Sequence, residues 1–271
     1  MKVLGVDIGG TGIKGAVVDT STGELKTERL RLLTPQPATP EAVASVLKDL
    51  VDQIGFKGPV ACGFPARIIN GIALTAANID KSWINVPVEK LFSKALGRDV
   101  YVANDADVAG LAELEIGAAK GMGGVVLFLT LGTGIGSAIF VNGELYPNTE
   151  LGHIIFKDDH AEHYCSAAVK ERSENMTWKE WGTRLDSYLQ YISFLLCPDV
   201  IVLGGGVSKK FDKYKDKLTV SAKVIPAMTL NNAGIIGAAL YGARRLKGLG
   251  ISGAGKKEKE KNKDKDKKGK D

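Results

Sequence analysis

Glycine-rich turns beside carboxylates are the features of this sequence that could do chemistry. In residues 2–19, two apolar runs flank a turn at residues 9–12, with Asp7 at its rim and Lys14 just beyond it. Glycine lets the backbone approach a ligand closely, and successive N–H groups in such a turn can bind phosphate oxygens. The sequence therefore predicts a phosphate-binding hairpin. Its turn consists of Gly9, Gly10, Thr11 and Gly12.

A competing interpretation of this turn is a dinucleotide site, because Gly10, Gly12 and Gly15 match the pattern G-x-G-x-x-G. That pattern requires a helix after its last glycine. Here residues 16–19, AVVD, are short and β-branched and lead into a turn signal at residues 20–23, so the second arm is predicted to be a strand. The dinucleotide interpretation is therefore disfavoured.

The hairpin pattern occurs a second time, at residues 127–145, and the tetrapeptide GTGI stands in both turns, at residues 10–13 and 132–135. Such self-similarity indicates a duplicated architecture. Two related halves that each present a phosphate loop predict that a phosphate chain binds in the cleft between them. The second turn contains Gly132, Thr133, Gly134 and Gly136.

Asp105 is the candidate catalytic base. It follows the short apolar run at residues 100–103 and opens a segment rich in alanine and glutamate, and open α/β sheets place their ligands at the carboxyl ends of such strands. A carboxylate within hydrogen-bond reach of an alcohol can orient it and accept its proton, which suits phosphoryl transfer. The structural alternative is that Asp105 caps the following helix, a role that Asp107 could fill instead.

Asp7 and Lys14 are expected to serve the phosphates. Asp7 lies at the mouth of the first turn, where it would face the Mg²⁺ that accompanies the phosphates, through water. Lys14 is a candidate to neutralise phosphate charge, although a lysine beside a turn is more often simply solvated. These two residues extend the predicted phosphate site beyond the glycines.

Glu150 and His153 form an E-x-x-H pair, which on a regular helix can make half of a metal site. Proline, asparagine and glycine neighbours favour a loop instead, so the recognition of sugar hydroxyls is the better use of this pair. Three further residues, His160, His163 and Cys165, form a loose metal-like cluster, for which ordinary surface residues are the favoured alternative.

The order of elements predicts an α/β fold of two domains. The chain has 271 residues, of which 44% are hydrophobic, enough for two domains with ordinary cores. Strands and helices meet in turn along the sequence. The predicted parts are residues 1–107 with 231–247, residues 108–230, and a charged tail at residues 248–271.

Several individual elements are predicted from periodicity and capping signals. A third strand is expected at residues 25–33 and a buried strand at residues 59–64. The stretch that follows His153, up to residue 175, is expected to be irregular. The predicted helices span about residues 40–54, 87–96, 105–117, 177–196 and 233–246. In the last of these, small residues favour close packing against another backbone.

Export, a membrane span and a disulfide framework are all disfavoured. The uncharged residues 124–141 have about the length of a membrane span but are interrupted by four glycines, and Asp7 breaks any apolar N-terminal signal. Three scattered cysteines suit a reducing cytoplasm. Nine lysines and five acids at residues 256–271 account for most of the net charge of +5, and this tail is predicted to be disordered.

Four segments resemble motifs of the ROK family of sugar kinases, which has the actin-like ATPase, ribonuclease H-like fold with a deep cleft between two domains. They are DIGGTGIKG at residues 7–15, NDAD at 104–107, LGTGIGSA at 131–138 and ELGH at 150–153. Further segments, LLTPQPATP, TAANIDKSW, YPNTELGH and the GGG run, resemble the polyphosphate glucokinase branch. The resemblance covers about residues 1–247. It implies transfer of the terminal phosphate of inorganic polyphosphate, or in some members ATP, to the 6-hydroxyl of glucose.

The resemblance also implies roles for individual residues. Asp105 matches the catalytic base, and the two glycine turns match the phosphate motifs. Many members carry a cysteine-rich zinc motif after the histidine, whereas only Cys165 follows here, so no zinc site is expected. A homodimer is expected as well. The implied sugar contacts are Asn78, Asn104, Asp105, Glu150 and His153, and the implied nucleotide or polyphosphate loop is Gly204, Gly205 and Gly206.

The alternatives to this function are a transcriptional regulator, a silent sugar-binding module and a kinase with a different donor. ROK-related transcriptional regulators need a DNA-binding domain ahead of the sugar domain, but the first hairpin starts at Lys2 and the tail lacks the pattern of a nucleic-acid reader, so no nucleic-acid partner is expected. A silent sugar-binding module is disfavoured by Asp105. Within the enzyme class, an ATP-dependent gluco- or mannokinase is the alternative. A polyphosphate donor would follow a basic track, for which the candidates are Lys14, Arg67, Lys81 and Lys120.

Overall fold

The structure, a computed structural model, describes residues 1–77 and 79–249. Strands and helices alternate along this part of the chain. The strands are β1 (Lys2–Ile8), β2 (Ile13–Asp19), β3 (Leu30–Leu32), β4 (Val60–Phe64), β5 (Ile68–Ile69), β6 (Ile72–Ala73), β7 (Val100–Asn104), β8 (Val125–Leu131), β9 (Ile135–Val141), β10 (Glu144–Tyr146), β11 (Ile155–Phe156), β12 (Asp159–His160), β13 (Val200–Gly205) and β14 (Lys223–Pro226). The helices are α1 (Pro40–Ile54), α2 (Val88–Leu96), α3 (Asp105–Glu115), α4 (Ala161–Cys165), α5 (Ala167–Arg172), α6 (Trp178–Leu196) and α7 (Ala233–Leu246).

Two five-stranded sheets share one topology. The first has the order β3-β2-β1-β4-β7 and the second the order β10-β9-β8-β13-β14. In each sheet the first three strands pair antiparallel and the last two add in parallel. The duplication predicted from the repeated hairpin is therefore confirmed at the level of the fold.

Helices α3 and α7 lie between the two sheets. Their buried residues share one core with Val3 and Ala61 of the first sheet and with Phe128 and Phe140 of the second. Gly237 explains how closely the helices approach, because a Cβ added there would lie 1.6 Å from the Val108 carbonyl oxygen. The predicted close packing of the last helix is confirmed.

Separate cores cover the outer face of each sheet. Helices α1 and α2 pack on the first sheet around Trp83 and Phe92. Helix α6 packs on the second sheet around Trp181 and Tyr188. The molecule is thus built of alternating helix and sheet layers, and the two β hairpins that carry glycine turns are fixed within these layers.

Capping residues set the ends of the helices much as the sequence predicts. Thr39 caps α1, and Thr177 with Glu180 forms a capping box at the start of α6, which satisfies otherwise unpaired N–H groups. Two predictions were wrong. The third strand is only Leu30–Leu32, joined by an isolated bridge at Leu25, and the stretch expected to be irregular contains α4 and α5.

The sequence also predicts free cysteines, a charged tail and the absence of a membrane span. No helix in the described ranges is long and apolar enough to cross a membrane. The three cysteines are free thiols, with Cys62 and Cys165 buried and Cys197 exposed. Residues 250–271, which hold nearly all of the predicted tail, lie outside the described residues.

Candidate active site

A cavity of about 860 Å³ lies between the two sheets. Its size is in the range of small-molecule sites. Both glycine turns reach it, together with the start of α3 and the segment before β11. The predicted site residues that line it are Gly9, Gly10, Thr11, Asn104, Asp105, Gly132, Thr133, Gly134, Gly136, Glu150 and His153.

Asp105 is the first residue of α3, directly after β7. The helix cap is Asn104, whose side-chain oxygen accepts hydrogen bonds from Ala106 N at 2.9 Å and Asp107 N at 3.1 Å. The alternative that Asp105 or Asp107 caps this helix was therefore wrong. With Asn104 in that role, the Asp105 carboxylate faces the cavity.

The surroundings of Asp105 favour its protonated form. Burial raises the pKa of Asp105 to about 7, and the negative charges of Asp7 and Glu150 act in the same direction, while a hydrogen bond from Ala106 N opposes them. A carboxyl group poised near neutral pH can both hold and release a proton under working conditions. Such a group is suited to general base chemistry on an alcohol.

The first glycine turn is held through its carbonyl groups. The side chains of Thr34 and Gln36 donate hydrogen bonds to Gly9 O and to Gly10 O, and the Arg31 guanidinium donates to Thr11 O at 3.3 Å. In the described part of the chain, no protein acceptor is found for the N–H of Gly10 or Thr11. These N–H groups are thus available to an anion in the cavity.

The second glycine turn is held differently. A carboxylate oxygen of Glu162 accepts a hydrogen bond from Ile135 N at 3.1 Å, and Ala168 N donates to Gly132 O at 3.0 Å. Gly136 lies against α3, since an added Cβ would be 2.9 Å from the Ala106 Cβ. The second turn therefore touches the residue next to Asp105.

Asp7 and Lys14 form an ion pair at the edge of the first turn, with Lys14 Nζ 3.3 Å from Asp7 Oδ2. Gly234, at the start of α7, packs on the Asp7 carboxylate. Neither Asp7 nor Lys14 lines the cavity, but the Asp7 charge is close enough to raise the pKa of Asp105.

Glu150 and His153 lie at the other side of the cavity, where residues Leu151–His153 form one short 3₁₀ turn. His153 Nδ1 is 3.2 Å from Glu150 Oε2, and His153 Nε2 is 3.7 Å from Glu162 Oε1. Two carboxylates thus flank one imidazole. This arrangement offers several acceptors and a donor to the hydroxyls of a sugar.

The loose metal-like cluster of His160, His163 and Cys165, which the sequence disfavoured as a metal site, is not brought together in the structure. Cys165 is buried and its thiol faces Ala161 O, and burial raises the pKa of Cys165 to about 12. Instead, ligand atoms of His153, His160 and Glu162 lie within 4.8 Å of one another. The spacing of His160 and Cys165 was misleading because α4 turns Cys165 into the core.

Other predicted residues lie apart from the cavity. Gly204 packs on the Phe128 ring and Gly205 lies against Leu131 O, so the third glycine run ends beside the second turn without lining the cavity. Of the four basic-track candidates, only Arg67 lines it. Asn78 lies outside the described residues.

Glu162 is a charged lining residue that the sequence did not indicate. It stands in the stretch predicted to be irregular, and only α4 brings it beneath the second turn. No glycine motif or charge pattern marks it. The short helix that begins at Ala161 is therefore what completes this side of the site.

Comparison with known proteins identifies the family. The ROK family profile matches residues 3–169. The polyphosphate glucokinase of Mycobacterium tuberculosis is 44% identical over 238 residues, which cover 88% of this chain and 89% of the relative. The chain belongs to the ROK family. The predicted membership is therefore confirmed.

Solved structures show the ROK fold in this chain. The inorganic polyphosphate/ATP-glucomannokinase from Arthrobacter sp. strain KM matches with a TM-score of 0.84 and 44% identity over 90% of this chain and 99% of that chain. A ROK glucokinase from Streptomyces griseus in complex with glucose and AMPPNP matches with a TM-score of 0.77 over 90% of this chain and all of that chain; at 23% identity this likeness concerns the fold. The predicted actin-like ATPase fold is confirmed.

Proposed function

We propose that this protein is a polyphosphate glucokinase, which transfers the terminal phosphate of inorganic polyphosphate to the 6-hydroxyl of glucose. The observation that carries the proposal is the 44% identity, over nearly the whole length of both chains, to proteins of that name. The cavity supports it, because its lining combines Asp105, a turn with free N–H groups, and the polar side chains of Glu150 and His153.

Asp105 is the proposed base for the 6-hydroxyl of glucose. Its carboxylate orients the hydroxyl and accepts the proton as the new O–P bond forms and the bond to the rest of the donor breaks. A base whose pKa is about 7 has useful proton affinity while about half of it is still carboxylate at pH 7. Asn78, Asn104, Glu150 and His153 are the proposed partners of the other sugar hydroxyls.

The two glycine turns are the proposed phosphate sites. Phosphoryl transfer depends mainly on alignment and on neutralising charge that spreads over the phosphate oxygens. The free N–H groups of the first turn would bind those oxygens, and Lys14 and Arg67 would contribute positive charge. Gly204, Gly205 and Gly206 would contact the distal part of the donor.

Mg²⁺ is the proposed cofactor, and Asp7 is its proposed protein contact. Asp7 places a carboxylate close to Asp105, and because Mg²⁺ keeps several waters, this carboxylate would bind the ion through water while the donor phosphates bind it directly. When bound, the ion would neutralise phosphate charge. The ion pair between Asp7 and Lys14 shows that this carboxylate already attracts a cation.

The donor is tested by measuring glucose 6-phosphate formation with polyphosphate and with ATP in parallel, at several salt concentrations and with Mg²⁺. We expect faster turnover with polyphosphate and a KM for it that rises more steeply with salt, because a longer polyanion interacts with more cations. Turnover with ATP alone would support the alternative, an ATP-dependent gluco- or mannokinase. Absence of turnover with either donor would contradict the kinase function.

Three further expectations complete the proposal. We expect residues 1–107 with 231–247 and residues 108–230 to move as two domains that close on glucose. We expect a homodimer, which light scattering after size-exclusion chromatography measures directly. A cytoplasmic location also stays a prediction.

A further inference from the structure

The segment that carries Glu150 is attached to its own sheet by a buried serine. Ser137 of β9 donates a hydrogen bond from its hydroxyl to Thr149 O at 2.9 Å and accepts one from Leu151 N at 3.0 Å. These two contacts bracket Glu150 on the side of the second sheet. They fix the backbone of Glu150 relative to the second glycine turn.

A second attachment joins the same segment to the opposite half of the molecule. The Asn148 side chain accepts a hydrogen bond from Ile68 N at 2.6 Å and donates one to Ile68 O at 3.0 Å. Ile68 belongs to β5, in the half that contains the first sheet. The amide of Asn148 therefore pairs with the backbone of β5 as a neighbouring strand would.

The backbone of Asn148 is also fixed. Its N–H donates to Asp107 Oδ2 at 2.8 Å, and Asp107 is only 1% exposed, two residues after Asp105 on α3. Asn148 has a φ of 61°, a conformation that asparagine tolerates better than most residues. One residue thus connects the Glu150 segment to both α3 and β5.

The backbone of β5 leads directly to the sugar side of the cavity. Just before Ile68, Arg67 lines the cavity and Ala66 O accepts a hydrogen bond from the Asn104 side chain at 3.2 Å. Ile68 and Asn148 belong to opposite halves, so an opening of the cleft that carries β5 away from the Glu150 segment would break this contact.

We propose that Asn148 is a positioning residue that couples closure of the cleft to the placement of Glu150 against glucose. When the halves meet, the Asn148 amide pairs with Ile68 and holds the segment from 148 to 150 over the sugar side of the cavity. When they separate, the pairing with Ile68 is lost, while the Ser137 hydroxyl still holds the backbone on both sides of Glu150. This inference rests on the proposed function.

The test is the variant Asn148→Gly, with Asn142→Gly as a matched control. Glycine accepts a positive φ and keeps the N–H that bonds to Asp107, so only the amide contacts with Ile68 are lost. Asn142 also has a positive φ, 51°, but lies in the exposed turn between β9 and β10, away from the cavity. Both variants thus exchange the same residue types in the same backbone conformation.

We expect Asn148→Gly to raise the KM for glucose by about tenfold, the effect of losing two hydrogen bonds, with the donor KM unchanged. Asn142→Gly should leave both constants within about twofold of the wild type. Asn148→Asp should act in the same direction as Asn148→Gly, because it places a carboxylate oxygen opposite Ile68 O. A purely structural role would lower the Tm of Asn148→Gly without changing the KM for glucose, and that result would overturn the inference.

A readout without turnover separates this inference from the proposed function. Small-angle X-ray scattering measures the decrease in radius of gyration on addition of glucose, which we expect for the wild type and Asn142→Gly but not for Asn148→Gly. Compaction of the wild type without glucose phosphorylation would contradict the function alone. Equal compaction of wild type and Asn148→Gly, or none in the wild type, would overturn the inference.

Discussion

The two glycine turns have the same tetrapeptide and the same hairpin, yet they differ in what holds them. Neutral and cationic side chains from the segment after β2 hold the first turn through its carbonyl groups. A carboxylate, Glu162, holds the second turn through an N–H group. In the described part of the chain both turns keep N–H groups free of protein acceptors, but only the second turn has a carboxylate bonded to its backbone.

This difference indicates that the duplicated hairpin supplies a scaffold and that later segments determine the ligand. We infer that the first turn contacts mainly phosphate and that the second turn, with Glu162 and His153, contributes to the sugar side as well. Asp105 lies where the two sides meet. Substitutions on the two turns should therefore affect different substrates.

The largest effect is expected at Asp105, where the phosphate side and the sugar side of the cavity meet. Asp105→Asn removes the proposed base while keeping the size of the side chain, so kcat should fall by about 10²–10⁴-fold with little change in glucose binding. Calorimetry with glucose and a coupled assay for glucose 6-phosphate measure the two quantities. Full turnover by the variant would exclude Asp105 as the base.

The same variant should be more stable than the wild type at pH 8. The folded-state pKa of Asp105, about 7, lies above its ordinary value of 3.8, so the folded protein binds the proton more tightly and loses stability as the pH rises from about 4 to 7. Asparagine does not ionise, so the variant does not lose this stability as the pH rises. We expect a Tm at pH 8 that is higher by about 2–4 °C, and a smaller gain at pH 4.

The second effect concerns the close approach of the second turn to α3. In Gly136→Ala the new methyl group would meet the Thr130 and Ala106 side chains at 2.7 and 2.9 Å, which displaces the residue beside Asp105. We expect kcat to fall by about tenfold, in line with the cost of overpacking. In the control, Gly123→Ala, nothing lies within 4 Å of the added methyl group and the residue does not line the cavity, so kcat should be nearly unchanged.

The third effect separates the substrates. Thr34→Val removes the hydroxyl that bonds to Gly9 O and should raise the KM for polyphosphate by about three- to tenfold with the KM for glucose unchanged. Glu162→Gln should raise the KM for glucose and leave the KM for polyphosphate unchanged. Equal effects of either variant on both constants would show that the two turns do not differ in the substrate they serve.

The smallest effect is the pH dependence near neutrality. A base with a pKa of about 7 is half deprotonated at pH 7, so kcat/KM should rise about twofold from pH 7 to pH 8 and fall about tenfold per unit well below pH 7. In Gly136→Ala, the midpoint should move because Asp105 shifts relative to its neighbours. A flat profile from pH 5 to 8 would contradict the assignment of the base.

The sequence was sufficient to predict the parts of the site that are local. Glycine turns between apolar strands and an acid at the end of β7 are visible within a few residues, and the repeat indicated two halves. Glu162, Thr34 and the Asn148 contact were not predicted, because each acts through a partner far away in sequence. Asn104 was expected to touch the sugar, but its role as helix cap depends on geometry that spacing alone does not give.

The most direct test of the account is the identity of the product. Phosphorus NMR would follow the reaction of the wild-type protein with polyphosphate, Mg²⁺ and either glucose or 6-deoxyglucose. We predict a phosphomonoester signal at carbon 6 of glucose and none with 6-deoxyglucose. Orthophosphate as the sole product, or the same phosphorylation of 6-deoxyglucose, would contradict transfer to the 6-hydroxyl held by Asp105.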